Sequence, residues 1–474
     1  MAESKKLIKN TTIYALGDII PRLLSFVAFP VLTHYLTPTD YGILNYVNAL
    51  STFLMVVSFL CTNTYYLVYF YRCEDEIAQK KLLGNLSTFI IAYNLIIVLL
   101  LLLCGNYFFK LLDSKISFYP YIIIGILTNF FNIFSILPSA LYRLLEKPLF
   151  LTMINISRGV ITLVLTLILV VFFNYSALGV LYSLLILSIV YAIIFLFITQ
   201  KFIIWNFNWK QIKEVLIFSL PLVPGSLAYY ITTISDRILI DKYLNLNDLG
   251  IYGTASTLAL ILNIFSYGAY KAFEPFIFKS WGEENFSYIF EKIRNNFVYV
   301  LLFGSLGLSL FSKEFFQIFS GVKFHGAYFY VPMIIIGVYC SSVKMLYGTV
   351  VTAKGKTKVN SGISIFGAII SVVLNITLLP SFGLVAAALV SSLVLAIECL
   401  ILIWYAKLDI HRNTPILSFL VVCLVTFLFV YMINLENIFL SIALKITVLT
   451  VTISILSKIL SVNPFEIVKG FIKK

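Results

Sequence analysis

His34-Tyr35-Leu36-Thr37-Pro38-Thr39-Asp40-Tyr41-Gly42-Ile43 returns later in the chain as Lys242-Tyr243-Leu244-Asn245-Leu246-Asn247-Asp248-Leu249-Gly250-Ile251. Tyr, Leu, Asp, Gly and Ile recur at an offset of 208 residues, which Gly17 and Gly225 share. Leu141-Tyr142 matches Leu346-Tyr347, and Gly179 matches Gly383, at nearly the same offset. The matched Asp and Gly residues fall in polar breaks rather than in apolar runs, where a small alphabet would produce matches by chance. The chain therefore reads as an internal duplication.

The runs between these breaks are long and apolar. Of 474 residues 61% are apolar and 12% charged, with a mean hydropathy of +0.99. A soluble domain carries about 45–50% apolar and about 25% charged residues, so composition excludes a soluble enzyme, a nucleic-acid reader and a disordered chain. A spanning helix takes about 20 apolar residues, which bounds the count at about fourteen. Runs such as Leu95 to Leu103 do not alternate as barrel strands would. Helices are the structure that lipid permits. The pattern predicts an all-α polytopic membrane protein of about 14 transmembrane helices, including a first span near 12–33, a seventh near 216–240 and a last pair near 416–434 and 438–457. An even number of helices precedes each second copy, so the copies insert in the same direction. The domains expected are an N-terminal six-helix lobe (1–205), a pseudo-symmetric C-terminal six-helix lobe (206–410), and an extra helix pair with a cytoplasmic tail (411–474).

The net charge of +13 is distributed as a membrane protein's would be. Most of the 34 lysines and arginines lie in short segments between spans on one side, such as Lys354, Lys356 and Lys358. This bias places both termini in the cytoplasm. Lys5, Lys6 and Lys9 precede an apolar stretch, as in a signal peptide, but that stretch carries Asp18 and Arg22 and reads as an uncleaved first helix. The longest polar connection, residues 273–294, faces the same inner side. The six cysteines show no Cys-x-x-Cys spacing and read as buried thiols. The three histidines are far apart, so neither a metal site nor a cofactor is expected.

Charges inside the spans mark candidate function, because each costs at least about 2.5–3.5 kcal/mol at a helix centre. Asp18 and Arg22 share one face of the first helix. Asp236 and Arg237 are adjacent on the seventh. Arg158 and Lys344 have no obvious acidic partner on their own helices. Glu398 is either a coupling-ion site or the buried partner of a cation, and Lys445, which belongs to the last pair of helices, reads as a snorkelling lysine. The expected lumen cations are Arg22, Arg158, Arg237 and Lys344, with Asp18, Asp236 and Glu398 as supporting or ion-coupling acids. A cation-rich cavity implies an anionic cargo, and the guanidinium fork suits phosphate. Pro21 and Pro30 in the first helix, and Pro221 and Pro224 in the seventh, interrupt corresponding segments of the two halves, which points to the substrate site.

The pattern Asn10-Thr11, Gly17, Arg22, then Tyr35-Leu36-x-x-x-Asp40-x-Gly42, resembles the polysaccharide repeat-unit (Wzx-type, O-antigen and capsule) flippases of the multidrug/oligosaccharidyl-lipid/polysaccharide (MOP) exporter superfamily. Asp236-Arg237-Ile238-Leu239-Ile240, followed by Tyr243-Leu244 and Gly250-Ile251-Tyr252, is similar to that family's helix-seven region. The resemblance covers nearly the whole chain. It implies a MATE-like two-lobed bundle in the bacterial cytoplasmic membrane. The implied cargo is an oligosaccharide on undecaprenyl diphosphate, turned from the inner to the outer leaflet for surface polysaccharide synthesis. Arg22 and the Asp236-Arg237 pair are the residues it singles out. The partners it implies are this lipid-linked oligosaccharide, the bilayer, and the polysaccharide polymerase and glycosyltransferases of the same pathway, with no nucleic acid. One departure is notable. The related peptidoglycan-precursor flippases carry an Arg-Asp pair where this chain has Ala28-Phe29, which argues against a peptidoglycan role.

Two other functions compete. A multidrug or cation antiporter of the same superfamily would need essential acids in its lumen. A membrane-embedded glycan polymerase would need a large outer loop with catalytic charges, which is not visible. No Gly-x-x-x-x-Gly-Lys-Ser/Thr motif is present, so the expected energy source is an ion gradient, the membrane potential or consumption of the flipped product.

Overall fold

A computed structural model describes residues 2–111, 113–406, 408, 413–432 and 438–462. The side chains of Lys5, Lys6, Lys9 and Asp18 lie outside the described set, as do residues 463–474, where the tail was expected.

Among the described residues the regular structure is helical throughout. The α-helices in chain order are α1 (Ala2–Tyr35), α2 (Pro38–Phe59), α3 (Thr62–Tyr69), α4 (Glu76–Leu111), α5 (Ile123–Leu144), α6 (Pro148–Leu167), α7 (Ser176–Thr199), α8 (Trp209–Ser219), α9 (Val223–Tyr243), α10 (Leu246–Ser280), α11 (Phe286–Leu310), α12 (Ser312–Phe319), α13 (Val331–Ala353), α14 (Thr357–Ala406), α15 (Asn413–Thr426) and α16 (Ile438–Ile459). Among the described residues, twelve helical segments are long and apolar enough to cross a membrane. Two shorter apolar helices, Ile19–Tyr35 and Leu420–Tyr431, occupy the places of the expected first and thirteenth spans. Gly383, at φ 59°, turns the chain within α14, so that residues 357–382 and 384–406 form two spans. The left-handed backbone there is readily open only to glycine.

The prolines act differently in the two copies. α1 runs through Pro21 and Pro30 without a break. Their carbonyls accept hydrogen bonds from Ser25 Oγ (3.2 Å) and Thr33 Oγ1 (2.9 Å), and His34 Nδ1 lies 2.7 Å from the Pro30 oxygen. Pro221 falls in a 3₁₀ turn, Leu220–Leu222, that separates α8 from α9, and Pro224 lies in the first turn of α9, where a missing N–H costs nothing.

The contacts divide the chain into two compact units, residues 1–250 and 251–474. In the first, α1 packs along α6, α5 along α7, and α2 against both α5 and α9. The duplicated motifs meet inside this unit. Thr37 caps α2 in a box closed by Asp40, and Asn245, just before α10, accepts from the Asp248 amide at 2.8 Å. The recurring Asp is thus explained by helix capping.

In the second unit α13 packs on both spans of α14, while α15 and α16 lie against α11. Here the sequence expectation needs correcting. The polar connection expected at 273–294 is mostly helix, because α10 continues to Ser280 and α11 starts at Phe286. Arg294, read from sequence as a loop charge, is completely buried in α11. It reaches Glu291 at 3.3 Å and Asn295 Oδ1 at 2.9 Å, which offsets the cost of taking the charge out of water.

Candidate functional site

The close packing of α1 on α6 builds the site. Gly159 has only a hydrogen where a Cβ would come within 3.2 Å of Pro21, so the two backbones approach closely. Thr152 Oγ1 donates to the Ile13 carbonyl at 2.9 Å and fixes the register. Pro21-Arg22 and Arg158-Gly159 are thereby brought to the same level, and α7 closes one side. The result is an open cavity of about 550 Å³, within the usual range for ligand sites of about 300–1,000 Å³.

Arg22 and Arg158 both line this cavity. Ser25, Asn155, Thr162 and Thr166 add neutral polar groups, and Ala28, Leu32 and Leu163 supply apolar wall. The described lining contains no carboxylate. Two of the four cations expected in a lumen therefore share one cavity.

Arg158 is tightly held. Its Nη2 donates to Asn132 Oδ1 from α5, and its guanidinium lies 5.7 Å from the centroid of the Tyr191 ring on α7. The Tyr191 hydroxyl is 2.7 Å from Ser157 Oγ. Neither Asn132 nor Tyr191 carries charge, so sequence inspection for intramembrane charges passes over both. A polar Asn inside an apolar run is the signal that would have found Asn132.

The other expected site residues lie elsewhere. Arg237 Nη1 is 3.7 Å from Asp236 Oδ2, and Asp236 is buried in α9. In the second unit Lys344 on α13 forms an ion pair with Glu398 on α14, with Ser364 Oγ 3.5 Å from the ammonium. Of the two roles considered for Glu398, the structure shows a cation's partner. Lys445 does not snorkel: it is buried and forms a 2.6 Å ion pair with Glu314 of α12, helped by Ser441 Oγ at 3.2 Å. Glu314 is far away in sequence, so helix periodicity could not reveal it. All six cysteines are free thiols. Cys340 and Cys399 are buried, whereas Cys104 is exposed.

Three comparisons bear on identity. The sequence profile described as "Polysaccharide biosynthesis protein" matches residues 7–281, more than half of the chain. The capsular polysaccharide biosynthesis protein CapF of Staphylococcus aureus is 24% identical over 400 residues, covering 81% of this chain and 95% of CapF. The probable low-salt glycan biosynthesis flippase Agl15 of Haloferax volcanii is 24% identical over 196 residues, 40% of this chain and 41% of its own length. Among solved structures, the lipid II flippase MurJ in an inward closed conformation superposes with a TM-score of 0.75 at 14% identity, covering 94% of this chain and 98% of MurJ. An inward-facing MATE multidrug transporter superposes with a TM-score of 0.68 at 12% identity, covering 85% and 98%. The chain belongs to the polysaccharide biosynthesis protein family, and it shares the fold of these membrane proteins.

Proposed function

We propose that this protein flips undecaprenyl-diphosphate-linked oligosaccharide repeat units from the inner to the outer leaflet of the bacterial cytoplasmic membrane, for capsule, O-antigen or exopolysaccharide synthesis. The observation that carries this reading is the cavity in which Arg22 and Arg158 stand together, with no carboxylate among the described lining residues. Two guanidinium groups in one cavity wall favour a doubly charged, oxygen-rich anion, which a diphosphate supplies. A multidrug or cation antiporter would instead favour an acid-lined cavity. The names of CapF, Agl15 and MurJ, which concern capsule, glycan flipping and lipid II, agree with a lipid-linked glycan.

In this mechanism both termini are cytoplasmic, and the lobes 1–205 and 206–410 are the moving parts. Arg22 and Arg158 grip the diphosphate from the inner side. Ser25, Asn155 and Thr162 offer hydrogen bonds to the first sugar, and the prenyl tail stays in the bilayer. Rocking of the lobes then exposes the cargo outward, driven by an ion gradient, the membrane potential or removal of the product by the polymerase. Lys344 with Glu398 ties two helical spans together and Asp236 partners its neighbour Arg237 in this reading, so the direct contacts narrow to two arginines.

The test is complementation of a strain lacking the protein with Arg22→Ala, Arg22→Lys, Arg158→Gln and Arg158→Lys, at matched membrane levels. Surface polysaccharide should fall and the lipid-linked precursor should accumulate. Lys variants should retain part of the activity, because they keep the charge and lose the fork. Normal export in all four variants would refute the reading.

A further inference from the structure

Among the described residues Arg158 is held by neutral groups, and this determines what it can do. Three helices converge on it: α6 carries it, α5 supplies the Asn132 carbonyl oxygen that accepts from Nη2, and α7 supplies the π-face of Tyr191, 5.7 Å away at the centroid. Tyr191 is itself 5% exposed, and its hydroxyl is fixed by Ser157 Oγ at 2.7 Å. Among the described residues no carboxylate is paired with Arg158, in contrast to Lys344, Lys445 and Arg294, each of which has a glutamate partner. All four lie within candidate spans, so the difference lies in the partners.

A guanidinium has five N–H donors in a rigid plane. An amide oxygen at one edge and an aromatic ring against the plane fix its orientation, and donors remain to face the cavity. An acidic partner would orient the group equally well but would cancel its charge, and in a low-dielectric wall that would remove most of its pull on an anion. We propose that Asn132 and Tyr191 are positioning residues for Arg158: they aim the guanidinium into the cavity while leaving its full positive charge available to a diphosphate. This inference rests on the reading of the cavity as a diphosphate site and adds which residues make it selective for an anion.

The experiment uses the full-length protein in lipid nanodiscs, with inorganic pyrophosphate and farnesyl diphosphate as separate probes titrated by calorimetry. The wild type should bind both, and Arg158→Gln should bind neither measurably. If the wild type does not bind, or if Arg158→Gln binds like the wild type, the diphosphate reading falls and this proposal falls with it. Given Arg158-dependent binding, Asn132→Asp is the decisive variant. It has almost the same shape, yet it sets an acid directly against the guanidinium. It should weaken both probes by about tenfold or more, and the affinity should become less sensitive to added salt, because one positive charge is now compensated. A defect in packing alone would not change that salt dependence. Wild-type affinity in Asn132→Asp, or a loss confined to the prenyl probe, would overturn the proposal while leaving the cavity reading intact. Tyr191→Phe keeps the ring and should bind normally, whereas Tyr191→Leu should weaken both probes severalfold. The pair keeps the proposal falsifiable if Asn132→Asp is poorly expressed, because equal affinities in Tyr191→Phe and Tyr191→Leu would also overturn it.

Discussion

Gly42 and Gly250, equivalent positions of the duplicated motif, each press against the backbone of the other copy. A Cβ on Gly42 would lie 2.0 Å from the Leu246 carbonyl oxygen, and one on Gly250 would lie 1.7 Å from the Pro38 carbonyl oxygen. Pro38 and Leu246 are themselves separated by 208 residues, so the two contacts are the same contact seen from either copy. Glycine recurs at this place because neither backbone leaves room for a side chain. Gly42→Ala and Gly250→Ala should each destabilise the protein by about 1–3 kcal/mol through overpacking. The double variant should cost less than the sum, since both substitutions open one interface. Thermal melts of the purified protein in detergent check this, and unchanged melting in both single variants would contradict the close approach.

Thr37 and Asn245 cap the helices that carry those glycines. Thr37→Ala and Asn245→Ala should each lower stability by about 0.5–2 kcal/mol. Thr37→Ser and Asn245→Asp, which keep a capping oxygen, should be near neutral. The same melts rank the four variants, and the order Ala below Ser or Asp is the outcome to look for.

Lys344 and Glu398 make a buried pair across two helices of the second unit. Lys344→Met alone strands a carboxylate and Glu398→Gln alone strands an ammonium, at about 3–5 kcal/mol each. The combined Lys344→Met/Glu398→Gln variant should recover most of that loss and restore export. Recovery of stability without recovery of export would instead place the pair in the transport step itself.

Glu314 and Lys445 link α12 to α16. Reversing either charge alone should lower the yield of folded protein, as judged by fluorescence-detected size exclusion. Glu314→Lys combined with Lys445→Glu should restore it in part. Failure of the exchange, with intact single variants, would mean that the last helix is held by apolar packing alone.

Most of the helices were readable in the sequence, because lipid leaves the backbone few alternatives and long apolar runs declare themselves. Arg22 and Arg158 were readable for a related reason: a charge amid apolar residues is conspicuous. Their meeting in one cavity was not, since it depends on how α1 lies on α6. Asn132 and Tyr191 escaped notice because neutral polar and aromatic residues are common in spans. The glutamate partners of Lys344 and Lys445 lie 54 and 131 residues away, so only the folded path brings them together. Arg294 was misplaced because a polar helix start resembles a loop when hydropathy alone sets its boundary.

The burial of Arg294 also bears on how the chain is made. α11 is the least hydropathic of the twelve candidate spans, and it carries this guanidinium in its first half. Tyr347 of α13, which hydrogen-bonds to Arg294, is synthesised some fifty residues later. A nascent α11 therefore carries its own counter-charge in Glu291, and the Tyr347 hydroxyl joins the cluster only once α13 has been made. The polar cluster around one buried charge is thus completed later in synthesis than the helix that bears it.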